Sequence, residues 1–175
     1  MRRAVVAFVL NAAVERGAPY RRELAALDPA SVGRAAVDAL KPFADSGVPN
    51  AAALARELAA VMPQALKAAD VPASGGGLFE RLQSNAERLV RIRPIAQQQG
   101  EEPSAVLGRV EAKTARGDVV GALADAAKLP ATVRAPLEPW IKRAEAREAA
   151  LAAAAALATQ SLDVVRRPAQ GAADK

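Results

Sequence analysis

The chain has 175 residues, 51% of them hydrophobic but only 3% aromatic, with a net charge of +5 and an isoelectric point of about 10.1. It contains neither cysteine nor histidine. That removes disulfides, thiolate chemistry and the commonest metal ligand and general base, so an enzyme is not expected, nor any cofactor. With so few aromatics the core must be built from Ala, Leu and Val. No Val/Ile alternation bounded by turn residues occurs, and an all-α fold is expected. The arginines are dispersed and no aromatic residues interleave them, which argues against a nucleic-acid partner.

The first predicted helix covers 2–16 and is stopped by Gly17. Its start, Arg2-Arg3 followed by Ala4 to Leu10, has the outline of a secretion signal. The apolar run is short, however, and no small-x-small cleavage site follows before Glu15-Arg16. Pro19 opens a second short helix, Tyr20 to Leu27. Ser31 to Ala44 forms a third, weakened in its last turn by Pro42 and ended near Gly47. Asn50 is a suitable cap for a fourth, Ala51 to about Ala69, with Leu54, Leu58, Val61 and Leu66 near one face. Pro63 should bend or break it. The connections are short, so residues 1–70 are expected to form a small bundle of antiparallel neighbours.

Val71 to Gly77 reads VPASGGG. No strand precedes these glycines and no Gly-Lys-Ser/Thr follows them, so a phosphate loop is not supported. A hinge is the better reading. The stretch from Leu78 to Arg93, LFERLQSNAERLVRIR, organises the rest. Advancing about 100° per residue, Leu78, Phe79, Leu82, Ala86, Leu89, Val90 and Ile92 fall on an arc roughly 160° wide. Asn85 and Arg93 are the polar intruders there. The opposite side carries Arg81, Arg88 and Arg91 with Glu80, Glu87, Gln83 and Ser84. A greasy face opposite a charged face with excess Arg describes a helix able to lie in a membrane interface, although packing on a protein core would give the same periodicity.

Pro94 ends that pattern, and 94–102 is a polar linker. Pro103 starts a helix running to about Arg116. Gly117 is its stop and Asp118 the cap of the next, which carries Val119, Val120, Ala122, Leu123 and Ala126 to Leu129. The segment 103–129 is a helical hairpin much like one tetratricopeptide unit, but the further copies of a solenoid are missing. Arg116-Gly117-Asp118 also spells an adhesion tripeptide, yet helix punctuation accounts for each residue. After a connector, Pro130 to Leu137, Pro139 opens the longest helix, Trp140 to about Val165. Leu137, Ile141, Ala144, Glu148, Leu151, Ala155, Ala158, Leu162 and Val165 would form its seam, with the hairpin as default partner or a second copy as alternative. Trp140 should anchor a core. Residues 166–175 should fray. The Ala-rich run from Ala149 to Ala158 is too short to span a bilayer.

Taken together, Gly117-Asp118, Ala122, Leu129 and WIKRAEAREAA from Trp140 resemble the C-terminal domain of the mitofilin family. LFERLQS at Leu78 to Ser84 looks like the start of the lipid-binding helix that precedes that domain. The order of lipid-binding helix, linker, hairpin and long helix agrees over about 78–165, and ERGAPYRRELAAL at 15–27 is similar to the alphaproteobacterial branch. Family members carry an N-terminal transmembrane helix and a long coiled coil that are not in this sequence, so a C-terminal piece of a longer protein is expected.

The resemblance implies a membrane-shaping scaffold at the bacterial inner membrane, on its periplasmic side. It would bind anionic phospholipid through Leu78, Phe79, Leu82, Leu89, Val90, Ile92, Arg81, Arg88, Arg91 and Arg93. It would self-associate as a homo-oligomer through a domain at 103–165, in which Gly117, Asp118, Trp140, Ile141, Leu151 and Leu162 are structural or interface residues. Outer-membrane assembly proteins are implied partners, and no small-molecule substrate or metal is. The rival expectation is a soluble helical-repeat adaptor holding a peptide in its hairpin groove.

Overall fold

The computed structural model describes residues 2–27, 33–70 and 100–170. It is all-α: among the described residues there is no strand. The helices are α1 (Arg2–Arg16), α2 (Arg21–Ala25), α3 (Arg34–Leu40), α4 (Ala51–Ala69), α5 (Pro103–Ala115), α6 (Val119–Ala126), α7 (Ala131–Arg134) and α8 (Glu138–Gln170). Two 3-10 turns, Lys41–Phe43 and Ala135–Leu137, follow α3 and α7. Among the described residues no helix is long and apolar enough to cross a membrane.

The chain divides into two compact units, Met1–Asn50 with Lys142–Lys175, and Ala51–Ile141. These are not the segments 1–70 and 103–165 expected from the sequence: α4 belongs with the hairpin, and most of α8 with α1 to α3.

In the first unit Leu10, Ala13 and Val14 of α1 share a core with Tyr20, Leu27, Leu40, Ala44, Val48 and, from α8, Ala150, Ala154 and Leu157. The small alanines of α8 complete a core whose larger side chains come from α1 and from residues 20–48. Of the expected seam, Leu137, Ile141, Ala144 and Ala158 are buried, but Leu151 is half-buried, Ala155 is exposed and Leu162 is 45% exposed; Ala150, Ala154, Leu157 and Ser161 are buried in that stretch instead. Ala150, Ala154 and Leu157 share their core with α1, where the hairpin was the expected partner; Leu137 and Ile141 lie in the unit that holds the hairpin. Arg147 reinforces the junction by donating to the Pro49 carbonyl at 3.0 Å.

Pro42 acts as expected: α3 stops at Leu40 and continues as a 3-10 turn containing Pro42. Tyr20 binds both ends of this region. Its amide donates to the Ala44 carbonyl at 2.9 Å, and its hydroxyl to the Leu40 carbonyl at 2.7 Å. The ring is fully buried, and burial pushes the phenol up to about 12. A raised folded-state value means the contribution is complete below the unfolded value of about 10 and is lost as pH climbs through 12. Tyr20→Phe should cost roughly 1 kcal/mol at neutral pH and flatten the alkaline loss of stability above pH 10, as read by denaturant melts across that range.

In the second unit α4 presents Leu54, Leu58, Met62 and Ala65 to the core. Met62 and Ala65 replace the expected Val61 and Leu66, which are half-buried. Full burial is worth about 1.5–3 kcal/mol for each large apolar side chain. α4 runs on through Pro63, so of the bend or break expected there the break does not occur. Pro63 and Ala59 are both exposed, so the Ala59 carbonyl that loses its helical donor lies on the exposed side of the helix.

Candidate functional site

The expected membrane-binding residues Leu78, Phe79, Leu82, Leu89, Val90, Ile92, Arg81, Arg88, Arg91 and Arg93 lie outside the described residues, as do the hinge at 71–77 and most of the linker. Their assignment rests on the sequence pattern.

The expected structural residues can be placed. Gly117 takes φ 82°, the left-handed conformation that ends α5. Its amide donates to the Thr114 carbonyl at 3.0 Å, and the Asp118 amide to the Lys113 carbonyl at 2.9 Å. This paired closure satisfies carbonyls that the last helical turn leaves open. Asp118 then caps α6, its carboxylate accepting from the Gly121 amide at 2.9 Å. Helix punctuation thus accounts for both residues of the Gly-Asp pair. Trp140 is 2% exposed, and its indole N–H donates to the Leu54 carbonyl at 3.0 Å. Ile141 is buried beside it in sequence. Leu151 packs half-buried against the core of the first unit.

Sequence reasoning passed over Asp125. Its side chain is 4% exposed, with Lys113 Nζ at 2.8 Å, Lys128 Nζ at 3.1 Å and Arg109 Nε at 3.7 Å. Lys113 also donates to the Gly121 carbonyl at 3.3 Å. The cluster staples α5 to α6 across their turn. The hydrogen bond from Lys113 holds the Asp125 carboxyl below the usual carboxylate range, against the opposing effect of burial and with help from Lys128. The spacing of Lys113 and Asp125 across a predicted tight turn was the signal available.

A depressed carboxyl stabilises the fold above its unfolded value of about 3.9, and that contribution is lost as pH falls below it. Asp125→Asn should cost about 1–3 kcal/mol at pH 7, the partners being part-exposed, and should blunt the acid sensitivity seen in thermal melts.

A second feature that sequence reasoning did not place is an open apolar groove of about 400 Å³ in the first unit, lined by Ala4, Val5, Phe8, Val9, Ala12 and Leu162. The inner face of α1 carries Ala7, Leu10 and Val14, all buried, while Val5, Phe8 and Val9 are 62%, 55% and 46% exposed. So α1 has two apolar faces. Among the described residues no group of three or more Asp or Glu side chains is placed to hold a metal ion.

No family model, curated protein or solved structure matches this chain.

Proposed function

We propose that this chain is a membrane-shaping scaffold of the mitofilin type, acting without catalysis at the periplasmic side of a bacterial inner membrane. The observation that carries the reading is the stretch 78–93. Six large apolar side chains (Leu78, Phe79, Leu82, Leu89, Val90, Ile92) share one arc, and four arginines outnumber two glutamates. The all-α architecture, with a capped hairpin followed by a long helix that carries Trp140 in its first turn, supports it.

The energetics favour shallow, reversible insertion. Each large apolar side chain contributes at most ~1.5–3 kcal/mol when wholly removed from water, and an interfacial helix realises about half of that. Each excess Arg adds about 1 kcal/mol near an anionic leaflet. Ordering the segment opposes both. Weak binding suffices once several copies act together, because linkage raises the effective concentration of each. Self-association and contact with outer-membrane assembly proteins belong to the same proposal.

Co-sedimentation with anionic and neutral liposomes tests it. The wild-type chain should pellet with anionic vesicles, and Phe79→Asp with Leu82→Asp should reduce the bound fraction at least tenfold. Undiminished pelleting of that double variant would remove this face from the account. The adaptor reading predicts no liposome binding at all. Its hairpin groove is constrained, because Leu107 and Val110 of α5 are already fully buried within the unit.

A further inference from the structure

We infer that the outer face of α1, together with Leu162 of α8, is a second contact surface for an anionic phospholipid bilayer, separate from 78–93 and standing without it. Val5, Phe8, Val9 and Ala12 recur at intervals of three and four, so they form one continuous stripe along α1. The stripe and Leu162 line the open groove, and its four large side chains are each about half exposed. A helix that is apolar on both sides is ordinarily covered on both.

Charge selects what covers it. Arg2 and Arg3 open α1 one turn before the stripe, and Arg166 and Arg167 follow Leu162 by one turn in α8. The acids nearby in sequence are Glu15, at the far end of α1, and Asp163. The first turn of α1 contains no acidic residue. These arginines suit phosphate headgroups, where each basic residue near an anionic leaflet strengthens binding roughly fivefold.

A second copy of the chain fits less well. Four half-exposed side chains amount to a few hundred Å², the size of the largest patch on an ordinary monomer. A stable dimer buries roughly 800 Å² on each partner. A bilayer needs no such area on one face, because an interfacial helix wets only its apolar stripe and keeps its basic groups at the headgroups.

The test compares vesicles containing phosphatidylserine with vesicles of phosphatidylcholine alone, using the whole chain. Val5→Asp with Phe8→Asp should lower partitioning into the anionic vesicles at least tenfold. Arg2→Glu with Arg3→Glu should reduce the preference for anionic over neutral vesicles roughly fivefold or more and flatten its weakening by salt. Val120→Asp, at a position 63% exposed outside the groove, should leave binding unchanged. Helicity and thermal midpoint should hold for all of these variants.

Phe79→Asp with Leu82→Asp is run in parallel, so that the two surfaces fail independently. If the 5/8 variant binds like wild type while the 79/82 variant does not, this inference is wrong and the scaffold reading stands. The reverse result upholds this surface and removes the other. Loss of a dimer in the 5/8 variant with vesicle binding intact would reassign the face to a second copy and overturn the inference.

Discussion

Gly47→Ala should unfold the first unit at ordinary temperatures. Gly47 sits at φ 76°, which L side chains rarely adopt, and a Cβ built on it would collide with the Gly17 carbonyl oxygen. Gly17 is itself at φ 67°, with the Val48 carbonyl oxygen 2.7 Å from where its own Cβ would be. Two backbones therefore cross with no room for a methyl group on either. The obstacle is main chain, which cannot swing aside as a flexible side chain can. Left-handed strain alone costs about 1–3 kcal/mol, and the clash brings the total to about 4 kcal/mol or more. That is a large fraction of a small domain's stability. Gly33→Ala is the matched control: Gly33 has φ 85° and, among the described residues, nothing within 4 Å of the added carbon. It should cost only the strain. Urea melts of the two variants separate strain from close approach.

Trp140→Ala should be the most damaging change in the second unit. Trp140 is 2% exposed and hydrogen-bonded to Leu54. Truncation removes the chain's one indole, leaves a cavity and strips a partner from a buried carbonyl, for a loss of about 3–5 kcal/mol. Trp140→Phe keeps most of the packing and loses the N–H donor, so roughly 1–2 kcal/mol is expected. The ratio of the two losses in denaturant melts measures how much of the anchor is packing and how much is the hydrogen bond.

What was legible in the sequence was local. Gly117-Asp118 named its own turn, because a left-handed stop and a carboxylate cap are two-residue signals. Pro103 and Pro42 marked where one helix starts and another tightens. Positions fixed by distant neighbours were not legible. The seam of α8 was legible at Ile141, Ala144 and Ala158, which are buried, but between them Ala150, Ala154 and Leu157 are buried rather than Leu151 and Ala155. In an alanine-rich helix several registers look alike, and the partner chooses among them. The partner itself was misread, since the Arg147–Pro49 hydrogen bond joins residues 98 apart and no local pattern announces it. Pro63 lies on the exposed side of α4, where a missing amide is cheap to lose. Asp125 reads as a surface acid until the turn brings Lys113 onto it. The outer face of α1 was hidden by its own uniformity, since a helix apolar on both sides shows no contrast to read.

The scaffold proposal is tested most directly by vesicle shape. The wild-type chain and the Phe79→Asp, Leu82→Asp variant are tethered at equal density to anionic vesicles and viewed by electron microscopy. Wild type should draw tubules or invaginations, and the variant should leave the vesicles round. Round vesicles under a full coat of wild-type chain, or equal deformation by the variant, would contradict the account.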